Sequence, residues 1–229
     1  MTTRTIPARH SPRGALIVAS VILVWGLLTS RFILKNPLND LFIHDYGGHL
    51  EYSEILGIQK RFPKPLEGWE TYQPPLYYLV TSRLMPNQLR IHVLLVRMLS
   101  VLLGMIAMVL LAITLSELRY AAWIQAVVLA FLGTTPGFFF IFQSYNNDTL
   151  SSVLSLAILV CAFKLSQDWR SPLAIAYTAA CALGLYTKYS VGMTIICLVP
   201  VMGWLAWRHA SYRRFIVKLA GLTVVGCLA

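Results

Sequence analysis

The sequence predicts an all-α membrane protein, a single polytopic helix bundle of about seven transmembrane helices spanning residues 1–229. Three observations carry that expectation. Hydrophobic residues make up 57% of the chain and charged residues only 12%, about half the ~25% typical of a soluble domain. The remaining charge is uneven, with long stretches holding none. The uncharged runs approach the ~20 helical residues that cross a ~30 Å hydrocarbon core. A soluble globular enzyme, a disordered chain and a secreted disulfide scaffold are excluded.

The first span, residues 14–30, follows a leader containing Arg4, Arg9 and Arg13. No small-residue cleavage site follows it, so it reads as a retained signal-anchor helix. Residues 31–92 form a long outer loop. Within it, 45–60 places Leu50, Ile55, Leu56 and Ile58 at helical spacing among polar residues, the pattern of an interfacial amphipathic helix. Pro63, Pro65, Gly68, Pro74 and Pro75 then break the chain into turns, and a second short helix is expected over 76–84. Further spans are expected at 98–116, 120–147, 149–163, 171–187 and 189–207. A last apolar run, 219–229, is 11 residues long, which at 1.5 Å per residue reaches roughly half a membrane. The expectation is a chain that stops within a helix, the N-terminal part of a larger protein.

Nineteen Lys+Arg against nine Asp+Glu give a net charge of +10. No basic stretch is interleaved with aromatics, so the excess is read as helix-anchoring charge rather than a nucleic-acid surface. Short segments holding Arg4, Arg9, Arg13, Arg119, Arg170, Arg208, Arg213 and Arg214 fall on one side, which the positive-inside rule makes cytoplasmic. Asp45, Asp148 and Lys188 then lie outside. Cys161, Cys181, Cys197 and Cys227 all fall in apolar segments and read as small hydrophobes.

Candidate chemistry collects on the outer side. Asp45, His49 and Tyr52 are spaced i, i+4 and i+7, one face of a helix. They are either a solvated polar face or a carboxylate–imidazole pair suited to general-base work. Asp45 and His49 are also two possible metal ligands, but two do not make a site and no metal is expected. The segment 71–79 (TYQPPLYYL) is either a structural bend that sets tyrosines at headgroup level or a pocket wall lined by Tyr72, Gln73, Tyr77 and Tyr78. Asn146, Asn147 and Asp148 form a turn and helix N-cap, or a second acidic site. Arg97 and Lys188 are cations beside apolar spans, which either snorkel to headgroups or neutralise a phosphate. Walker A, GxGxxG and HExxH motifs are absent from the sequence, so an activated substrate is expected to be lipid-borne.

The order of these motifs, Asp–x3–His–x2–Tyr, Gln-Pro-Pro-Leu-Tyr-Tyr, VRMLSVLLG, Asn-Asn-Asp and GLYTKYSVG, resembles the N-terminal half of C-type (GT-C) polytopic glycosyltransferases. Within these it is similar to the protein O-mannosyltransferase and lipid A aminoarabinose transferase group. The resemblance implies inverting transfer of a sugar from a polyprenyl-phosphate carrier to a lipid, glycan or protein acceptor on the outer face of a bacterial inner membrane. It implies Asp45 as catalytic base and Asp148 as an orienting acid. Lys188 and Arg97 fall near the carrier phosphate, and His49, Tyr52 and Gln73 shape the pocket. Many relatives carry Asp-Glu where this chain has Asp45-Tyr46. Two other classes fit the residues without the resemblance: a transporter, because intramembrane charges also mark transport sites, and a membrane scaffold whose Asp45, Asp148 and Lys188 need not meet.

Overall fold

The computed structural model describes residues 11–36, 45–85, 88–208 and 212–228; Arg4, Arg9 and Asp40 lie outside them. Among the described residues all regular structure is helical. Ten helices follow one another: α1 (Pro12–Lys35), α2 (Tyr46–Gly57), α3 (Leu76–Arg83), α4 (Leu89–Glu117), α5 (Ala122–Thr134), α6 (Pro136–Gln143), α7 (Asp148–Gln167), α8 (Ser171–Leu185), α9 (Val191–Arg208) and α10 (Tyr212–Leu228).

Three of these, α1, α4 and α7, are long and apolar enough to cross a membrane, and α5 with α6 makes a fourth if the bent pair is one span. The protein is an integral membrane protein. Its outward faces agree, since Leu16, Leu27, Phe131, Ile175 and Val217 are exposed, apolar surface that lipid rather than water suits.

The expected span over 120–147 is two helices, not one, bent by 70°. The cause is Pro136, which removes a backbone donor and forces its predecessor out of the helical region. Thr135 accordingly sits at φ −66°, ψ 133°. Helix α8 has 15 residues, roughly 22 Å, and is shorter than a full crossing. Helix α10 has 17 residues and begins seven residues before the expected apolar run, because Arg213, Arg214 and Lys218 continue the helix. A charge-free window underestimates helix length wherever long basic side chains fit the turns.

Two packed bodies share α7. In the first, α1 lies against α4 and α5, and α4 against α6 and α7. Trp25 of α1 is its central knob: its ring meets Gly104 of α4 and Gly133 of α5, and its Nε1 donates to Gly133 O at 3.0 Å. The absent side chains at those two glycines let three helices close around one indole. In the second body α7, α8, α9 and α10 bury Ile158, Leu165, Tyr177, Cys181 and Leu219.

Between α1 and α4 the chain folds back as α2 and α3, which pack on each other. An aromatic cluster of Tyr52, Tyr77, Tyr78 and Tyr145 joins them to α4 and to the α6–α7 turn. The backbone N–H of Leu76 donates to Tyr186 O at 2.9 Å, tying the start of α3 to the end of α8. The ends of α1 and α8 and the beginnings of α4, α7 and α9 therefore gather at one end of the bundle. At the other end Glu117 pairs with Lys164 at 2.9 Å.

Candidate functional site

Helix α2 turns its polar face into the protein, correcting the expectation of a solvated face. His49 and Tyr52 are each 4% exposed, and Ile55 of the expected apolar stripe is buried as well, at 3%, while Ile58, just past the end of the helix, is 67% exposed. The polar groups find partners across α3. Ser53 Oγ and Thr81 Oγ1 lie 2.7 Å apart, and His49 Nδ1 is 2.8 Å from Tyr78 Oη. Tyr52 stacks on Tyr78 with ring centroids 3.9 Å apart. A buried polar group is tolerated when it is hydrogen-bonded, so this face can be covered.

Asp45 precedes α2 and is half-buried, its Oδ1 accepting from Trp69 Nε1 at 3.1 Å. Next to Trp69, Glu70 is 3% exposed, and among the described residues its Oε2 has no hydrogen-bond partner. One ligand-type atom each from Asp45, His49 and Glu70 lie within 4.8 Å of one another. Sequence spacing offered no way to find Glu70, which is 25 residues from Asp45 and reaches the cluster only through the prolines and turns between α2 and α3.

Gly48 makes that approach possible. A Cβ there would lie 2.8 Å from Glu70 Cγ and 3.2 Å from both the Glu70 backbone nitrogen and Trp69 Cβ. Gly48→Val is expected to push the 68–71 segment off α2, at a cost of about 1–3 kcal/mol for overpacking. Faster amide exchange confined to that segment and its α2 contact would be the signature. Unchanged exchange there would contradict the packing.

Asp148 opens α7 and Lys188 follows α8. Lys188 Nζ donates to Asp148 Oδ1 at 2.6 Å, so two residues 40 positions apart form an ion pair with both partners partly exposed. The pair lies near the Asp45 cluster, because the charges of Asp45, Lys188 and Asp148 all act on His49, and those of Asp45, Lys188 and Asp148 all act on Glu70. Asn147 is buried beside them. Its Nδ2 donates to Tyr78 Oη at 3.5 Å, and its Oδ1 has no partner among the described residues. The turn is capped by its neighbour: Asn146 Oδ1 accepts from the Thr149 N–H at 3.1 Å.

The remaining sequence candidates divide. Tyr77 and Tyr78 are buried in the aromatic cluster. Tyr72 is exposed, and Gln73, half-buried, accepts at its carbonyl from Tyr52 Oη at 3.4 Å. Arg97 is fully buried and donates to Gln143 O at 2.8 Å, Asn36 O at 2.5 Å and Gln143 Oε1 at 3.0 Å. Asn36 caps α1 and Gln143 ends α6, so this guanidinium satisfies carbonyls that helix C-termini leave unpaired.

Burial dominates the protonation states. It lowers the His49 pKa to about 4, with the Asp45 carboxylate opposing. It raises that of Glu70, helped by the negative charge of Asp45, and it pushes the Tyr78 hydroxyl far up. His49 is thus a neutral imidazole at pH 7. In the unfolded chain it takes a proton near pH 6.5, so its contribution to stability is complete above that pH and is lost as pH falls toward 4. The melting temperature of the wild type is expected to fall more steeply between pH 6.5 and 4 than that of His49→Gln. Equal slopes would show that His49 does not titrate this way.

Chemically, the cluster offers a carboxylate base, a neutral imidazole, a buried second carboxyl group and a lysine held by an acid. No family model, no curated protein and no solved structure matches the chain.

Proposed function

We propose that this protein is a membrane glycosyltransferase that moves a sugar from a polyprenyl-phosphate carrier to a lipid, glycan or protein acceptor, with inversion. The observation that carries the reading is the Asp148–Lys188 ion pair at the same end of the helix bundle as Asp45 and His49, where the charges of Asp45, Asp148 and Lys188 all act on His49. Inverting transfer needs a base on the acceptor and a cation for the departing phosphate. Asp45, half-exposed, accepts the proton of the acceptor hydroxyl or amine. The freed lone pair attacks the anomeric carbon from the side opposite the phosphate. The carbon–oxygen bond to phosphate breaks, and its electron pair leaves on the phosphate oxygen. Lys188 neutralises that charge, while Asp148 holds the ammonium in place.

The apolar faces of the bundle suit a prenyl chain that arrives through lipid. In this reading α1, α4, the α5–α6 pair, α7, α8, α9 and α10 make seven passes. The N-terminus is cytoplasmic by the distribution of basic residues, and the site faces outward from a bacterial inner membrane. Mass spectrometry of lipid-linked sugars and envelope glycans, in cells with and without the gene, tests it. Loss of the gene is expected to raise one polyprenyl-phosphate sugar and remove that sugar from an envelope molecule. Identical profiles would reject the assignment.

A further inference from the structure

We propose that Asp45, His49 and Glu70 form a binding site for a divalent transition-metal ion, of which Zn²⁺ is the best-matched example. Their ligand-type atoms lie within 4.8 Å of one another. A metal about 2.1 Å from each ligand requires ligand atoms roughly 3–4 Å apart, a contraction that side-chain rotation supplies. One imidazole with two carboxylates suits zinc, and manganese less well, because imidazole favours the later metals.

The second observation is the Glu70 side chain, 3% exposed and holding an oxygen that no group among the described residues satisfies. An unpaired buried carboxylate oxygen is costly. Here it also sits beside another carboxylate, Asp45. Like charges brought together in a dry place are what a cation relieves. The surrounding shell holds the ligands in place: Trp69 Nε1 donates to one Asp45 oxygen, Tyr78 Oη engages His49 Nδ1, and the Gln73 backbone N–H donates to Glu70 O at 3.0 Å, closing the turn that carries Glu70. Such second contacts orient metal ligands. The nearby cation Lys188 does not oppose the ion strongly, since Asp148 pairs with it at 2.6 Å. Three protein ligands leave a coordination position for water or an acceptor oxygen.

This site does not rest on sugar transfer, and its test contains no sugar, so either reading can fail alone. The full chain in detergent, stripped with chelator, is titrated with Zn²⁺ by calorimetry, and Co²⁺ spectra are recorded in parallel. One Zn²⁺ per chain is expected. Because the four cysteines are unpaired, the cobalt spectrum decides the ligand type, and no thiolate charge-transfer band is expected. Glu70→Gln and His49→Gln should each weaken Zn²⁺ binding at least about 10-fold, the lower end of the loss seen for groups that merely support a metal. If either variant does not fold, Asp45→Asn, on the more exposed ligand, takes its place. Absence of stoichiometric Zn²⁺ binding, a thiolate band, or affinity unchanged in the folded variants overturns the proposal.

Discussion

Asp45→Asn is expected to lower the turnover number for sugar transfer by at least about 100-fold, the smaller end of what a positioned general base contributes. The substitution is nearly isosteric. Its amide oxygen can still accept the bond from Trp69 Nε1 that Asp45 Oδ1 accepts at 3.1 Å, and the residue is only half-buried. Melting temperature and membrane insertion should therefore stay close to wild type, and the donor KM should change little, because the carrier phosphate is assigned to Lys188. What is lost is the ability to take a proton in the transition state, which acts on kcat. Assaying with Zn²⁺ saturating and with Zn²⁺ absent separates loss of the base from loss of a metal ligand. A variant within about threefold of wild type would remove Asp45 from the chemistry. A variant with altered solute uptake and no transfer activity in either form would point to a carrier instead.

Lys188 and Asp148 provide the complementary contrast. Both are partly exposed and, among the described residues, paired with each other across the α7 and α8 ends. Removing either leaves a charge that water can reach, so the folding cost is small. Their effect on the proposed reaction is carried by the leaving group, a different step from the one Asp45 serves.

The broad architecture was legible because it rests on composition. Long uncharged runs must be buried in protein or lipid, and α1, α4 and α7 sit where those runs lie. The short helix expected over 76–84 corresponds to α3, because the two prolines before it leave few other starts. Three features were not legible for three different reasons. The α5–α6 bend follows from a local rule at Thr135–Pro136, which a hydropathy window averages away. The orientation of α2 depends on partners from α3, such as Tyr78 and Thr81. Periodicity sees an apolar stripe, whose Ile55 is buried, but not the hydrogen bonds that let His49 and Ser53 be buried as well. Glu70 joins Asp45 and His49 through the path of a proline-rich segment, which no spacing rule encodes. In each case the missing information is tertiary: which polar group meets which.

Arg97 and Lys188 looked alike as sequence, each a lone cation beside apolar residues, and the two are expected to respond oppositely to mutation. Arg97→Leu is expected to destabilise the protein while leaving any folded fraction active per molecule. Its guanidinium fills three acceptors, Gln143 O, Asn36 O and Gln143 Oε1, two of them carbonyls at the ends of α1 and α6. Leucine fills the space but satisfies none of them. Each buried acceptor left unpaired costs about 1–3 kcal/mol. At about 2–4 °C per kcal/mol for a chain of this size, the melting temperature in detergent should fall by roughly 10 °C or more. Arg97→Lys should lie between leucine and wild type, because an ammonium keeps the charge but cannot fork across two helix ends. Lys188→Met should behave the other way, with a melting temperature within a few degrees of wild type and a large loss of transfer activity. If Arg97→Leu instead melts normally and loses only activity, the guanidinium belongs to the substrate site after all, and its bonds to Asn36 and Gln143 hold it there for that purpose.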